Sequence, residues 1–429
     1  MSDTTWRWEG TIIEFLIKMK PYLSYFHLKE KIDLAKNIIA VYRLKPKLGE
    51  DFREVAGGIA AESSVGTWTE VTTQLKKVWQ KLHARVFEAD EKTGLLEIAY
   101  PLDLFEPGNI PQLLSSVAGN IFGMKAMENL RLDDLELPES YVKSFSGPTI
   151  GLEGIRERVQ VFDRPLLASI IKPKLGLPVK EHVQVAMNVF SGGIDIVKDD
   201  ENLTNQQFNP FSKRVKQVLK EMKKLDFGNK VYAFNITAPE EMMEKRAALV
   251  ENLGGKCMMI DILTAGFAAV QELRKKNKNL IIHGHRAMHA ALTRNKNHGI
   301  SMLVLAKIAR LAGVDQLHTG TIIGKMEGGK KEILSINQFL RSDWYGLKKV
   351  LPIASGGLYP GLIPNLIKIL GKEMIFAFGG GIHGHPQGSK AGAKAVNQAV
   401  MAGQKGINLR DYAQENQELK IALNLWGED

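Results

Sequence analysis

From residue 165 onward, short apolar runs rich in β-branched residues alternate with helix-like stretches, and each run stops at glycines or polar residues. The runs occupy residues 166–174, 194–200, 231–237, 258–263, 280–286, 316–321, 351–357 and 375–381. Eight such strands with helices between them, over about 220 residues, predict a (β/α)8 TIM barrel. The first third has a different rhythm: extended 37–44, helical 51–64, strands 84–88 and 95–100, helical 110–122 and extended 130–137. That β-α-β-β-α-β order predicts a small α+β, ferredoxin-like sheet with helices on one face. The fold class is therefore α/β, with a smaller N-terminal α+β domain over residues 1–144 and a catalytic barrel with C-terminal helices over 145–429. The apolar start, residues 11–26, is interrupted by Glu14, Lys18 and Lys20, which predicts an amphipathic surface or docking helix rather than a signal peptide.

Composition narrows the class further. At 44% hydrophobic and 24% charged, a chain of 429 residues has ample material for a core, which excludes disorder or a fibrous repeat for its bulk. A single cysteine, Cys257, excludes an internal disulfide and any multi-cysteine zinc or iron–sulfur site, so a reducing cytoplasm is the expected compartment. No run approaches the roughly 20 apolar residues of a membrane span, and no membrane partner is expected. The net charge of +10 admits nucleic acid or an anionic small molecule. Its basic clusters, such as Lys223-Lys224 and Arg274-Lys275-Lys276, lie inside helix-like segments and read as solvated faces. With no zinc-finger or aromatic RNA-binding signature, nucleic acid is not expected, and an anionic substrate stays open.

In a TIM barrel the chemistry gathers at the carboxyl ends of the strands. Here those ends carry Lys172 and Lys174, then Lys198, Asp200 and Glu201, then Asn235, Asp261, the group His283, His285 and Arg286, His318, Ser355-Gly356-Gly357, and Gly379-Gly380-Gly381. Seven of the ten histidines also fall between His283 and His385. In Lys198-Asp-Asp-Glu201, period-2 alternation points Lys198 and Asp200 the same way, and Glu201 can turn in from the loop. Two carboxylates favour a hard cation such as Mg2+. A carbamate on the lysine would add a third oxygen, helped by a pKa depressed by burial or by Lys172 and Lys174.

Three other motifs are weaker. His283-Gly284-His285 has the spacing of a barrel-hydrolase zinc pair, but the oxygen-rich cluster upstream favours proton transfer or phosphate binding for these histidines. Gly379-x-Gly381-x-x-Gly384 matches a dinucleotide fingerprint yet lacks the following strand and acid, so its backbone N–H groups are read as a phosphate cradle. The stretch from Gly320 through Lys325 falls short of a P-loop and reads as a mobile loop carrying one lysine, with Gly324, Gly328 and Gly329 as hinges.

Several of these segments together carry a resemblance. Ile171-Lys-Pro-Lys-Leu-Gly176, Gly193-Ile-Asp-Ile-Val-Lys-Asp-Asp-Glu-Asn202, His283-Gly-His-Arg-Ala-Met-His289, His318-Thr-Gly-Thr-Ile-Ile-Gly-Lys-Met-Glu-Gly328, Ser355-Gly-Gly357 and Gly379-Gly-Gly381 resemble the large subunit of ribulose-1,5-bisphosphate carboxylase/oxygenase (RuBisCO). Ala61-Glu-Ser-Ser-Val-Gly-Thr-Trp-Thr69 and Gly119-Asn-Ile-Phe-Gly-Met-Lys125 are similar to its amino-terminal domain. The resemblance spans roughly residues 35–429, and Gly357-Leu-Tyr-Pro-Gly361 with His283-Gly284-His285 looks archaeal-type, form III or III-like. Ala377, Ile382 and His383 depart from the commoner residues around the triple glycine.

The resemblance implies carboxylation of ribulose-1,5-bisphosphate by carbon dioxide to two 3-phosphoglycerates, with an oxygenase side reaction, in a role recycling nucleotide ribose. By it, Lys198 is the carbamylated lysine, and Asp200 and Glu201 complete the magnesium site. Lys172, Lys174 and His285 handle protons, and Lys325 steers carbon dioxide. Arg286 and His318 hold one phosphate. Thr67, Trp68, Lys325, Gly357, Gly379 and Gly380 hold the other, while Ser355 and neighbouring Gly356 lie near the substrate hydroxyls. Glu62 and Asn120 enter from a partner subunit, so a homodimer or an assembly of dimers is implied, with no small subunit. Two other readings compete: a RuBisCO-like enolase or isomerase acting on a related phosphorylated sugar, and a noncatalytic basic phosphate- or nucleic-acid-binding protein.

Overall fold

A computed structural model describes residues 21–67, 69, 71–323 and 329–428. Its chain divides into two compact units, one running to Phe145 together with Ala290–Leu305, the other comprising Ser146–His289 and Ala306–Asp429.

The first unit is built on a sheet of four strands, β1 Asn37–Pro46, β2 Arg85–Asp90, β3 Leu95–Pro101 and β4 Met127–Glu136, in the order β4-β1-β3-β2. All three pairings are antiparallel. This is the split arrangement that β-α-β-β-α-β connectivity predicts. A two-residue strand, Gly299–Ile300, adds to β4 in parallel and is too short to read from sequence. The helix Phe52–Glu62 starts where the Asp51 carboxylate accepts from the Glu54 N–H, and its apolar stripe of Val55 and Ile59 is buried. The expected helix over 110–122 is shorter: it ends at Val117, because Ala118 and Gly119 leave helical dihedrals, and a 3-10 turn follows at Asn120–Gly123. The helix Lys76–Leu82 buries no residue, so it leaves no amphipathic stripe in the sequence. Of the expected helix over 11–26, residues 11–20 lie outside the described residues, and Pro21–Tyr25 form a 3-10 turn.

In the second unit eight strands close into a barrel. In chain order they are Leu166–Ile170, Ile196–Lys198, Val231–Asn235, Cys257–Asp261, Ile281–His285, Gln316–His318, Leu351–Ser355 and Ile375–Phe378. Neighbours in sequence pair in parallel throughout, and the eighth strand closes on the first with Ile375 opposite Leu166. Leu166, Ile196, Val231, Cys257, Ile281, Leu351 and Ile375, from the amino-terminal parts of seven strands, join one buried apolar cluster with Leu152, Ile155 and Val159 of the helix Gly151–Val159. At roughly 1.5–3 kcal/mol for each large aliphatic side chain fully buried, this layer anchors the strands and leaves their carboxyl ends to polar groups.

One basic cluster differs from its sequence reading. Arg274 is buried rather than solvated. Its guanidinium pairs with Asp315 and donates to the carbonyls of Gly313, Asn277 and Leu280 and to the Thr149 hydroxyl, which compensates its removal from water. Among the described residues no helix is long and apolar enough to cross a membrane.

Candidate active site

The second barrel strand ends at Lys198, whose side chain is only 1% exposed. Its Nζ donates to the Asp199 carbonyl at 2.8 Å and lies 3.9 Å from Glu201 Oε2. Burial pushes the ammonium below its usual pKa against the pull of Glu201 and Asp200. Of the two causes the sequence offered, burial is the one at work. Lys172, just past the first strand, donates to Asp200 Oδ2 at 2.8 Å, and Lys174 donates to Glu201 Oε1 at 3.1 Å. That contact with Glu201 raises the Lys174 pKa. Burial alone would raise Glu201, but Lys198, His285 and the Lys174 hydrogen bond outweigh it and hold the carboxyl at about 2.

On the next layer of the mouth, His285 Nδ1 faces Asp261 Oδ1 at 2.8 Å and His285 Nε2 lies 3.8 Å from Glu201 Oε2, so one imidazole bridges the fourth-strand carboxylate and the Lys198 cluster. Asp261 and Asn235 were visible only as polar strand ends. Asn235 Nδ2 donates to the Glu201 carbonyl at 2.8 Å and fixes the turn that presents the two carboxylates.

Alternation sends Asp199 the other way, away from Lys198 and Asp200. Its buried carboxylate accepts from Arg214 Nε at 3.1 Å, the Tyr232 hydroxyl at 2.7 Å and the Asn235 N–H at 2.9 Å, with His182 Nε2 3.4 Å away. Burial opposes its ionisation, but Arg214 and His182 outweigh it and keep Asp199 at about 2. This network braces the 198–201 turn from behind.

Arg286 sits against Gly320, where a Cβ would stand 2.6 Å from the guanidinium Nη2 and where φ is +96°, so only glycine suits the position. Burial lowers the Arg286 pKa to about 10, still a cation at neutral pH. The His318 ring packs edge-on against His285 with centroids 4.9 Å apart, and its Nδ1 is 2.8 Å from Ser355 Oγ. Gly356 and Gly357 follow with φ of +115° and +76°. Gly379 approaches Lys172, whose Cε would be 3.2 Å from a Cβ there, and Gly380 faces open space.

Of the three departures, Ala377 belongs to the barrel's apolar cluster and Ile382 is fully buried. His383 is held between Ser169 and Ser389 at 3.1 and 2.9 Å. In the first unit, Asn120 Nδ2 reaches Glu62 Oε1 at 3.5 Å, with both residues exposed, and Thr67 is half-buried. Lys325, Gly324, Gly328 and Trp68 lie outside the described residues.

Comparison with known proteins decides the family. Residues 151–426 match the ribulose bisphosphate carboxylase large chain, catalytic domain, and residues 25–141 match the N-terminal domain of the same chain. The protein belongs to the RuBisCO large-chain family. The match begins at residue 25, ahead of the first segment whose motifs carried the resemblance. A relative named ribulose bisphosphate carboxylase from Methanocaldococcus jannaschii is 47% identical over 402 residues, covering 88% of this chain and 95% of the relative. The crystal structure of the octameric RuBisCO of Pyrococcus horikoshii superposes with a TM-score of 0.91 at 46% identity, covering 95% of this chain and 97% of that one. The dimeric archaeal RuBisCO of Hyperthermus butylicus gives 0.88 at 44% identity, covering 95% and 100%. The (β/α)8 barrel with a ferredoxin-like first unit is the fold of this RuBisCO family.

Proposed function

We propose that this chain is a ribulose-1,5-bisphosphate carboxylase that adds carbon dioxide to its substrate and cleaves the product to two 3-phosphoglycerates, with oxygenation as a side reaction. The observation that carries the reading is the convergence, at one barrel mouth, of the Lys172–Asp200 and Lys174–Glu201 pairs around the buried Lys198.

The donor set fits a hard cation. Asp200 and Glu201 each offer carboxylate oxygens, and a carbamate on Lys198, 3.9 Å from Glu201, would add a third protein oxygen. Burial favours the neutral amine, which is the form that adds carbon dioxide and releases a proton to give a carbamate. A magnesium ion held there would stabilise the negative charge that gathers on two adjacent substrate oxygens during enolisation.

The chain's own residues do the rest. Lys172 and Lys174 stand over the cluster as proton carriers, and His285, oriented by Asp261, is a third. Arg286, with His318 beside it, holds one phosphate of the substrate. The other phosphate falls to Gly357, Gly379 and Gly380 with Thr67, Trp68 and Lys325, and the two anchors fix the bisphosphate in one orientation. Ser355 and Gly356 lie at the substrate's hydroxyl-bearing carbons. Lys325 stabilises the new carboxylate, while Glu62 and Asn120 complete the site from a second copy of the chain. The reading extends to a role in recycling nucleotide ribose, as the archaeal-type resemblance implies.

The test is incubation with Mg2+, labelled bicarbonate and ribulose-1,5-bisphosphate, followed by counting acid-stable label. Label recovered in 3-phosphoglycerate supports the reading. Exchange of the substrate's carbon-3 proton with solvent, without fixed label, would replace it with a RuBisCO-like enolase.

A further inference from the structure

Inside the barrel a polar thread links side chains of the fifth, sixth and seventh strands. Ser355 Oγ lies 2.8 Å from His318 Nδ1, His318 Nε2 lies 2.9 Å from His283 Nε2, and His283 Nδ1 lies 2.9 Å from Gln316 Nε2. Gln316 Nε2 is also 3.7 Å from Cys257 Sγ. His283 and Gln316 are fully buried, and His318 is 3% exposed. Burial keeps both imidazoles neutral, well below the ordinary histidine pKa.

A neutral imidazole has one N–H and one acceptor nitrogen, so fixing one bond fixes the whole thread. Gln316 sets the direction. Its amide NH2 has two protons and two partners, His283 Nδ1 and Cys257 Sγ, and only its Oε1 is left without one. Turned the other way, the amide would bury an NH2 in the place where Oε1 finds no partner, and two unpaired donors cost more than one unpaired carbonyl.

We infer that His283 is a positioning residue that acts through His318 on Ser355. Its Nδ1 accepts from Gln316, so its Nε2–H donates to His318 Nε2. The one proton of His318 is then at Nδ1 and is given to Ser355 Oγ. Ser355 accepts that bond, and its own hydroxyl proton is free for an oxygen at the mouth. The inference rests on the proposed reading in one respect: that Ser355 meets the substrate's oxygens.

The test begins with the wild-type protein labelled with 15N-histidine, using two-bond 15N–1H correlation at pH 8. The signals of His283 and His318 are assigned by their loss in His283→Gln and His318→Gln. The expected result is His283 protonated at Nε2 and His318 at Nδ1; the reverse pair, or a cationic ring in either place, would overturn the inference. Kinetics supply the second arm. In His283→Leu, kcat should fall about tenfold, or 1.4 kcal/mol in barrier, with KM for ribulose-1,5-bisphosphate held within about twofold. His283→Gln, whose amide can still donate from the Nε2 position, should recover most of that loss. A folded His283→Leu protein with wild-type kcat would contradict the role. If the wild type fixes no carbon, the functional reading fails, and the tautomer pattern still decides the thread.

Discussion

Lys172 Nζ donates to Asp200 Oδ2 across 2.8 Å, which pairs a proposed proton carrier directly with a proposed metal ligand. A cation arriving at Asp200 must compete with that ammonium. Removing the ammonium therefore has opposite effects on binding and on turnover. Lys172→Met should bind Mn2+, as a probe for magnesium, several-fold more tightly by paramagnetic titration. Its carboxylation should drop by about a hundredfold or more, because a general acid–base group is gone. Weaker cation binding in the variant would show that Lys172 supports the ligands rather than competing for them.

Acid should destabilise the protein earlier than its carboxylates alone would dictate. Burial holds His283 and His318 neutral in the folded state, with pKa well below 6.5, and burial lowers His383 to about 4. Unfolded histidines take up protons near 6.5. Below that pH the unfolded chain binds more protons than the folded one, so stability is complete above about 6.5 and declines as pH falls, by roughly 1.4 kcal/mol per pH unit for each such histidine. The urea midpoint should drop between pH 7.5 and pH 5. A midpoint that stays level over that window would contradict the neutral assignments.

Arg274 and Asp315 should prove to be a stability pair with no part in the chemistry. Asp315 Oδ1 accepts from the Ile150 and Gly151 N–H groups at 2.9 Å each, while its Oδ2 takes Arg274 and the Ile282 N–H. Arg274→Met leaves that carboxylate buried without its cation, with only backbone N–H groups to hold it, at a cost of about 3–5 kcal/mol. Chemical denaturation should register the loss, while kcat of the folded fraction stays near wild type. An undiminished denaturation midpoint would rule the pairing out as a stabiliser.

Much of this was legible in the sequence, and the parts that were not share a physical cause. The eight barrel strands are short β-branched runs because both faces are covered, and their polar ends mark the mouth, so Lys198, Asp200, Glu201 and His285 could be found one by one. Alternation along Ile196–Lys198 and into the turn also separates Asp199 from its neighbours. Its partners Arg214, Tyr232 and His182 come from three other elements, and no spacing announces them. Arg274 sits in a basic run that looks solvated, and its burial depends on Asp315, 41 residues away. The His283–Gln316 contact likewise exists only because the fifth and sixth strands lie side by side.

If a second copy supplies Glu62 and Asn120, two dead proteins should make one live one. Glu62→Gln and Lys198→Ala homodimers should each be nearly inactive. A mixed dimer has one site with both lesions and one with neither, so co-expression should restore up to about half of wild-type activity per mixed dimer. Differentially tagged mixed dimers that stay inactive would refute the shared site.

In the proposed reaction a carbamate on Lys198 turns this barrel mouth into a carboxylase. The most direct measurement is 13C NMR of the products formed from ribulose-1,5-bisphosphate and 13C-bicarbonate after preincubation with Mg2+ and carbon dioxide, run beside Lys198→Ala. The wild type should place 13C in the carboxyl group of one of every two 3-phosphoglycerates and show a lag when preincubation is omitted, and the variant should give no labelled product. Labelled 3-phosphoglycerate from Lys198→Ala at the wild-type rate, without any added amine or formate, would contradict the carbamate's role.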